Sequence, residues 1–377
     1  MTKIDFNLRS DHIEPIQEML VPGLLNIPVR GMSLKTARGK KLEKGAVVAQ
    51  HPGQGSADVH ASLAGKVTKV SFAYVTMLPG EGGGVAPVDL SSVDDDKEMI
   101  RTLRRLGVSA TPLMESELLL INGLNPEPGV TSAEALLAHE KDILIEGLSL
   151  ARRLVKPSRC ILVTSGGPEV QGLGDCEVQT VRAEYPASIE PLLIKAITGK
   201  ENAEGTAVLD IHALWELGMV ATTGLPVTEV VVTVGENNWR IPVGTPLRHA
   251  LAEGGLECAE GDVVRLGGVM RGEAAYSLDQ GISKQCRAIG LVKAGEVAPV
   301  ENVPCINCGE CVLHCPARLM PNLITRYAEF DRFEDARKQG LDICFGCGIC
   351  ATVCMARRPL LHLIRFAKEQ VRTTLDA

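Results

Sequence analysis

No stretch of about 18 uncharged apolar residues occurs in this 377-residue chain, so no segment reads as a membrane-spanning helix. The N-terminus, MTKIDFNLRSDHIEPIQEML, lacks the basic start and continuous apolar core of a secretory signal. We therefore expect the chain in the cytosol, or on a membrane through a partner. Positive charge is not in surplus: 39 Lys+Arg stand against 46 Asp+Glu, a formal charge of -7. No basic run is interleaved with aromatics, so nucleic acid is not an expected partner. The 12 cysteines are too sparse for a disulfide scaffold. A hydrophobic share of 45% and a charged share of 23% suit a globular chain. At roughly 150 residues per domain, the length predicts two to three domains.

What the cysteines lack in number they have in spacing. Two runs near the C-terminus, Cys305-Ile-Asn-Cys308-Gly-Glu-Cys311-Val-Leu-His-Cys315-Pro316 and Cys344-Phe-Gly-Cys347-Gly-Ile-Cys350-Ala-Thr-Val-Cys354, share the pattern C-x2-C-x2-C-x3-C. Three thiolates at three-residue intervals can fold round one corner of an iron-sulfur cube. The fourth points away and, in two-cluster ferredoxins, ligates the other cube. One four-iron four-sulfur cluster is thus assigned to Cys305, Cys308, Cys311 and Cys354, and a second to Cys344, Cys347, Cys350 and Cys315. Paired zinc sites are the competing reading, which the third cysteine of each run and Pro316 disfavour. Gly309 and Gly348 hold equivalent places, where a bare backbone can approach cluster sulfurs or simply turn. Met355 replaces the proline expected after the fourth cysteine. Cys160, Cys176, Cys258 and Cys286 have no partner spacing and read as reduced packing residues.

The rest of the chain reads as multidomain α/β and β. Residues 1–78, with short strands broken by glycine, suggest a barrel-sandwich hybrid. Its phrase VHASLAGKVTKV resembles half of a biotinyl or lipoyl carrier domain, but no exposed tip lysine stands out, and His51 and His60 read as loop or strand residues. A Gly/Pro linker follows; its Gly82-Gly83-Gly84 has no Gly-Lys-Ser/Thr to make a phosphate loop. Residues 97–225 read as a Rossmann-like α/β domain, with a strand over 117–122, a helix from Thr131 or Ser132 to Lys156, and a strand over 160–165. Residues 226–297 suggest a β-grasp module in which Tyr276, Asp279 and Lys284 are candidates to touch a partner. Residues 298–377 form the expected helical dicluster domain. Its basic tail (Arg357, Arg358, Arg365, Lys368, Arg372) reads as a solvated helix face, or as a docking face for an acidic partner or anionic membrane. No catalytic constellation is visible.

In this order of parts the chain resembles the RnfC subunit of Rnf electron-transport complexes. The residues carrying the resemblance are VHASLAGKV, Leu120-Ile-Asn-Gly123 through Glu127-Pro128-Gly-Val-Thr-Ser132, Gly267-Gly268-Val-Met-Arg-Gly272 and both cysteine runs. The family is similar to the flavin-bearing subunit of respiratory complex I, so the α/β domain is expected to be of that kind and residues 226–297 SLBB-like. Family membership implies electrons taken from NADH through flavin mononucleotide and passed over two cubane clusters to RnfB- or RnfD-like partners. Those membrane subunits move ions, which places this chain peripherally on the cytoplasmic side. The glycine-rich nucleotide loop of the family is replaced here by Leu106-Gly-Val-Ser-Ala-Thr-Pro-Leu113, where Val108, Ser109 and Ala110 would block close backbone approach. Asn122 and Glu127 remain as a vestigial flavin or nucleotide site, with Leu124 and Asn125 in place of polar or acidic groups. We expect an electron-relaying subunit with little or no flavin, fed by a multihaem cytochrome, a ferredoxin or another subunit. The alternatives are an NADH-oxidising subunit with flavin in an altered loop, and a non-catalytic module whose clusters brace or sense.

Overall fold

The computed structural model describes residues 5–53, 57–108, 113–166, 172–200, 203–296, 300 and 303–375. They fall into two compact units, Met1–Gly268 with Glu273–Leu291, and Val269–Gly272 with Val292–Ala377. The architecture is multidomain α/β and β.

In the first unit, two small sheets enclose a common apolar core. One runs in the order Leu25–Pro28, Tyr74–Pro79, Gly65–Val70, Lys41–Leu42, and the other joins Ser33–Leu34, Val47–Gln50 and Val59–His60. Alternation along the strands sends Leu25, Ile27, Val67, Val75 and Met77 inward. A parallel sheet follows, ordered Glu177–Thr180, Arg159–Thr164, Leu118–Asn122, Thr206–Asp210. Its strands RCILVT, LLLIN and TAVLD are apolar on both faces because both are covered. Helices Lys141–Val155 and Ile211–Thr223 cover one face, and helix Glu190–Thr198 places Leu193 against the other. The third sheet has six strands, in the order Ile16–Glu18, Asn237–Pro242, Glu229–Val234, Ala288–Val292, Val263–Leu266, Glu273–Ala274. Helix Leu247–Glu253 packs Leu247 and Leu251 on its valines. Ile16–Glu18, expected within the N-terminal module, runs parallel to Asn237–Pro242 in this sheet.

Two expectations are corrected here. The single helix to Lys156 is two helices, Ser132–His139 and Lys141–Val155, broken at Glu140. The break turns the Glu140 carboxylate toward Arg240, at 2.5 Å, and the Trp215 indole N–H, at 3.3 Å. Cys160 and Cys176, expected as separate reduced residues, are joined in a disulfide. They are opposite neighbours on paired parallel strands, just before the Ile161–Glu177 register pair, which no short sequence spacing reveals.

The second unit is helical: Glu310–Leu313, Pro321–Glu329, Phe333–Lys338, Ile349–Thr352 and Leu360–Leu375, with a 3-10 turn at Leu341–Ile343. Ile324, Ala328, Ala336, Leu341, Ile364 and Ala367 form its core together with Cys311 and Cys350.

Helices Lys141–Val155 and Ile211–Thr223 approach to backbone contact. A methyl group on Gly218 would collide with the Ile143 carbonyl, and one on Gly147 with the Leu214 carbonyl. Alanine is favoured over glycine by about 1 kcal/mol in a helix interior, whereas forcing atoms into a packed contact costs about 1–3 kcal/mol or more. The collision is with backbone, which cannot rotate away, so the second term wins. Gly218→Ala is expected to lower stability by about 2 kcal/mol, read from Trp215 fluorescence in urea unfolding. A neutral or stabilising effect would show that the helices do not cross this closely.

Candidate metal centres

The two cysteine runs are conformational copies. The third residue of each, Asn307 and Gly346, has φ of 55° and 65°, and the residue after the second cysteine, Gly309 and Gly348, has φ of 81° and 84°. Each glycine then starts a four-residue helix carrying the third cysteine, Glu310–Leu313 or Ile349–Thr352. The match extends past the fourth cysteine: Arg318 and Arg357 have φ of 55° and 51°, and each donates its amide to the carbonyl of the cysteine three residues back at 3.0 Å. Glycine suits the left-handed conformation at Gly309, Gly348 and Gly346, and at Asn307 an asparagine, the next most tolerant residue, takes it. At Gly348 a side chain would also strike the Met270 carbonyl.

These turns gather the thiols into two sets. Cys305, Cys308, Cys311 and Cys354 line one cavity, with about 370 Å³ of empty space partly open to solvent. Cys315, Cys344, Cys347 and Cys350 line a second, with about 400 Å³ of empty space that likewise includes open solvent. Each cavity thus takes three cysteines from one run and the fourth from the other. Among the described residues, no three His, Cys, Asp or Glu side chains converge as a site for a single metal ion; the thiols are spread round the cavity walls instead. Amides point at the sulfurs: Asn307 N–H at Cys305, Gly346 N–H at Cys344 and Leu319 N–H at Cys315, each at 3.4 Å.

Electrostatics follow the same grouping. Burial pushes the Cys311 thiol up, and Cys305, Cys354 and Cys308 push it further. Burial raises Cys347 to about 11, with Cys344 and Cys315 adding to it. Cys350 is raised beyond that range, by burial first and then by Cys347, Cys344, Cys311 and Cys315. Burial among like groups disfavours the thiolate form of these three, and positive charge brought among them would favour it.

Three of the five basic tail residues make internal contacts, while Arg357 and Arg372 are exposed. Arg358 is 6% exposed and pairs with Glu329. Arg365 donates to the Arg271 carbonyl at 2.7 Å, and Lys368 to the Cys344 carbonyl at 2.6 Å.

No family model matches the chain. A relative from Pectobacterium carotovorum, the RnfC-type subunit of an ion-translocating oxidoreductase complex, is 30% identical over 279 residues, or 68% of this chain and 37% of the relative. The subunit of the same name from Rhodobacter capsulatus is 26% identical over 94% of this chain and 79% of its own length. The chain belongs to the RnfC family of ion-translocating oxidoreductase complex subunits. It spans well under half the length of the Pectobacterium relative. A crystal structure of NAD+-reducing [NiFe]-hydrogenase in the H2-reduced state is similar over 74% of this chain and 63% of that one, at 13% identity and a TM-score of 0.49.

In this member of the RnfC family, the residues expected to hold flavin or nucleotide are otherwise engaged. The Asn122 amide donates to the Ser188 carbonyl at 2.9 Å and its oxygen accepts the Leu124 N–H at 3.2 Å. Glu127 is 5% exposed, under the positive influence of Arg265 and packed against Gly268 so closely that a methyl there would collide with it. The amides of Leu106, Gly107 and Val108 bond to Thr102, Arg104 and Leu103 carbonyls, closing helix Asp96–Arg105, whose C-terminal turn bends at Gly107 with φ of 89°. Amides spent on a helix end cannot cradle a phosphate, so these three form no phosphate-binding turn. Ser109 and Ala110, the centre of the departing loop, lie outside the described residues.

The first unit of this RnfC-family chain also hides a polar cluster that sequence reading missed. Lys284, expected to touch a partner, is 7% exposed and donates to the Asp58 and Gly107 carbonyls at 2.9 and 3.0 Å. Asp279 and Tyr276 are exposed; Asp279 pairs with Arg248, and the Tyr276 hydroxyl donates to that of Tyr74. Burial lowers Lys284 to about 8, with Glu216 and Asp58 opposing. Nearby, burial and then the Lys284 charge hold His60 at about 3, and burial raises Glu216 to about 6. Because the folded His60 pKa lies below its ordinary 6.5, its stability contribution is present above pH 6.5 and is lost as pH falls toward 3. At 1.36 kcal/mol per unit, discounted for relaxation, about 2–3 kcal/mol should vanish between pH 7 and pH 4. His60→Asn should flatten this loss in urea titrations at the two pH values; parallel curves would rule out a neutral buried His60.

Proposed function

We propose that the chain is an electron-relaying subunit of an ion-translocating oxidoreductase complex, holding two four-iron four-sulfur clusters by crossed ligation. Cys305, Cys308, Cys311 and Cys354 hold one, and Cys344, Cys347, Cys350 and Cys315 the other. The observation that carries this reading is the three-plus-one origin of the thiols on each cavity wall. A cubane takes four ligands at its outer corners, so a set spread round a cavity suits it. Zinc requires four ligands about 2.3 Å from one ion.

The other features agree. Buried thiols that resist ionisation are stabilised by a positively charged iron core. Amides aimed at Cys305, Cys344 and Cys315 supply the outer hydrogen bonds that tune such ligands. When bound, a four-iron cluster supplies a carrier of one electron at a time. The protein supplies rigidity: the exchanged fourth thiols tie each run to the other's site, and a carrier that moves little on reduction transfers electrons with little reorganisation.

The first unit would then act as scaffold and docking body, comprising barrel-sandwich, Rossmann-like and β-grasp modules. Electrons would reach the chain from a partner redox protein rather than through a flavin of its own, as the committed amides of Leu106 to Val108 and the internal bonds of Asn122 support. The chain would sit peripherally on the cytoplasmic face and pass electrons to membrane subunits coupled to ion movement. Among the described residues no helix is long and apolar enough to cross a membrane.

Anaerobically purified full-length protein is expected to contain about eight irons and eight sulfides per chain, with little flavin. Cys354→Ser and Cys315→Ser should each perturb a different one of two clusters in electron paramagnetic resonance. Stoichiometric zinc without iron would overturn the proposal. If each variant altered only the cluster ligated by its own run, the crossed arrangement would be wrong. Stoichiometric flavin with NADH oxidation would favour a dehydrogenase subunit instead.

A further inference from the structure

The conformational repeat breaks its chemical symmetry at one position. One residue beyond the left-handed Arg318 stands Leu319, which lines the second cavity; one residue beyond the left-handed Arg357 stands Arg358, which lines the first. The same backbone position therefore presents an aliphatic side chain to one site and a guanidinium to the other. Arg358 is almost wholly buried, lines the first cavity together with Cys305 and pairs with Glu329 on helix Pro321–Glu329.

The remaining surroundings sharpen the contrast. Asn307 and Asn322 also line the first cavity, and Cys308 on its wall is exposed. The second cavity is walled by Pro316, Leu319, Ile324, Phe345, Leu361 and Ile364, with no charged side chain among its described lining residues, and Cys347 and Cys350 are buried. Lys368 faces the second set; it is half-buried and donates to the Cys344 carbonyl. Backbone amides do not separate the two sites. The Asn307 amide bonds a sulfur of the first set, and the Leu319 and Gly346 amides bond sulfurs of the second.

Resting on the two-cluster reading above, we infer that Arg358 is a positioning residue that holds the first site at a higher reduction potential than the second, making it the place where a transferred electron resides. On reduction one electron enters, no bond forms or breaks, and the group of cluster and thiolates gains one negative charge. A buried guanidinium on the wall of that cavity stabilises the added charge. Apolar burial at the other site opposes it. Glu329 moderates the effect by neutralising part of the guanidinium.

The test is a dithionite titration of the anaerobic full-length protein, followed by electron paramagnetic resonance. The two waves are assigned from the Cys354→Ser and Cys315→Ser variants, and iron is counted in every sample. Arg358→Leu, which copies the second site's residue into the first, should shift the first site's reduction equilibrium at least about tenfold toward the oxidised form. That is about 59 mV downward for one electron. Arg358→Lys should recover part of the shift. Glu329→Gln, which leaves the guanidinium charge uncompensated, should shift the same wave the opposite way. A merely structural ion pair would not give shifts of opposite sign from its two partners. Equal movement of both waves, no movement in iron-replete Arg358→Leu, or a second-site wave lying above the first in the wild type would each overturn the inference. A wild-type protein with full iron in a single cluster would instead overturn the two-cluster reading on which it stands.

Discussion

The exchange of one thiol between the two cysteine runs is the constraint on which the second unit depends. Each run is a short, turn-rich segment whose four-residue helix could not stand alone, because so brief a helix does not repay its nucleation cost. Cys354 and Cys315 each reach the cavity that the other run builds, so neither half can be completed without the other. The intervening helices Pro321–Glu329 and Phe333–Lys338 set the separation of the runs, and Leu360–Leu375 packs Ile364 and Ala367 into the core beneath them. Cys311 and Cys350 belong at once to that core and to the cavities. Packing and cavity geometry are thereby a single problem.

The first unit is organised by a different rule, the covering of sheets. Its parallel strands are apolar on both faces, so helices must lie on each, and two of those helices meet at Gly147 and Gly218 with no side chain between them. Several amides of this unit are used internally. The amides after helix Asp96–Arg105 terminate that helix, and Asn122 secures the segment around Ser188. The Lys284 ammonium is held against Gly107 itself.

How much of this could be read from sequence depended on whether the relevant interaction was local. The cysteine spacing is local, and so are the glycines at 309 and 348, so the cysteines of both candidate cavities could be named in advance. The strands over 117–122 and 160–165 were legible because continuous apolar runs bounded by turn residues leave few alternatives. The Cys160–Cys176 bond was not, since it depends on which strands pair. The break at Glu140 escaped because the helical periodicity continues through it; only the distant Arg240 and Trp215 show why it is there. Arg358, Arg365, Lys368 and Lys284 misled for one shared reason. A long cationic side chain looks solvated in sequence, and burial with a carboxylate or carbonyl partner is a property of tertiary packing.

The strand Ile16–Glu18 pairs with Asn237–Pro242, roughly two hundred residues further along the chain. At translation rates of about 5–20 residues per second, the N-terminal segment would emerge from the ribosome roughly 10–40 seconds before the strand that receives it. During synthesis the small sheets of residues 25–79 can close, but the six-stranded sheet must wait, with an unmatched edge exposed to other nascent chains. Biogenesis of this subunit is therefore a problem of timing, one in which a chaperone that shields the leading segment would have a defined interval in which to act.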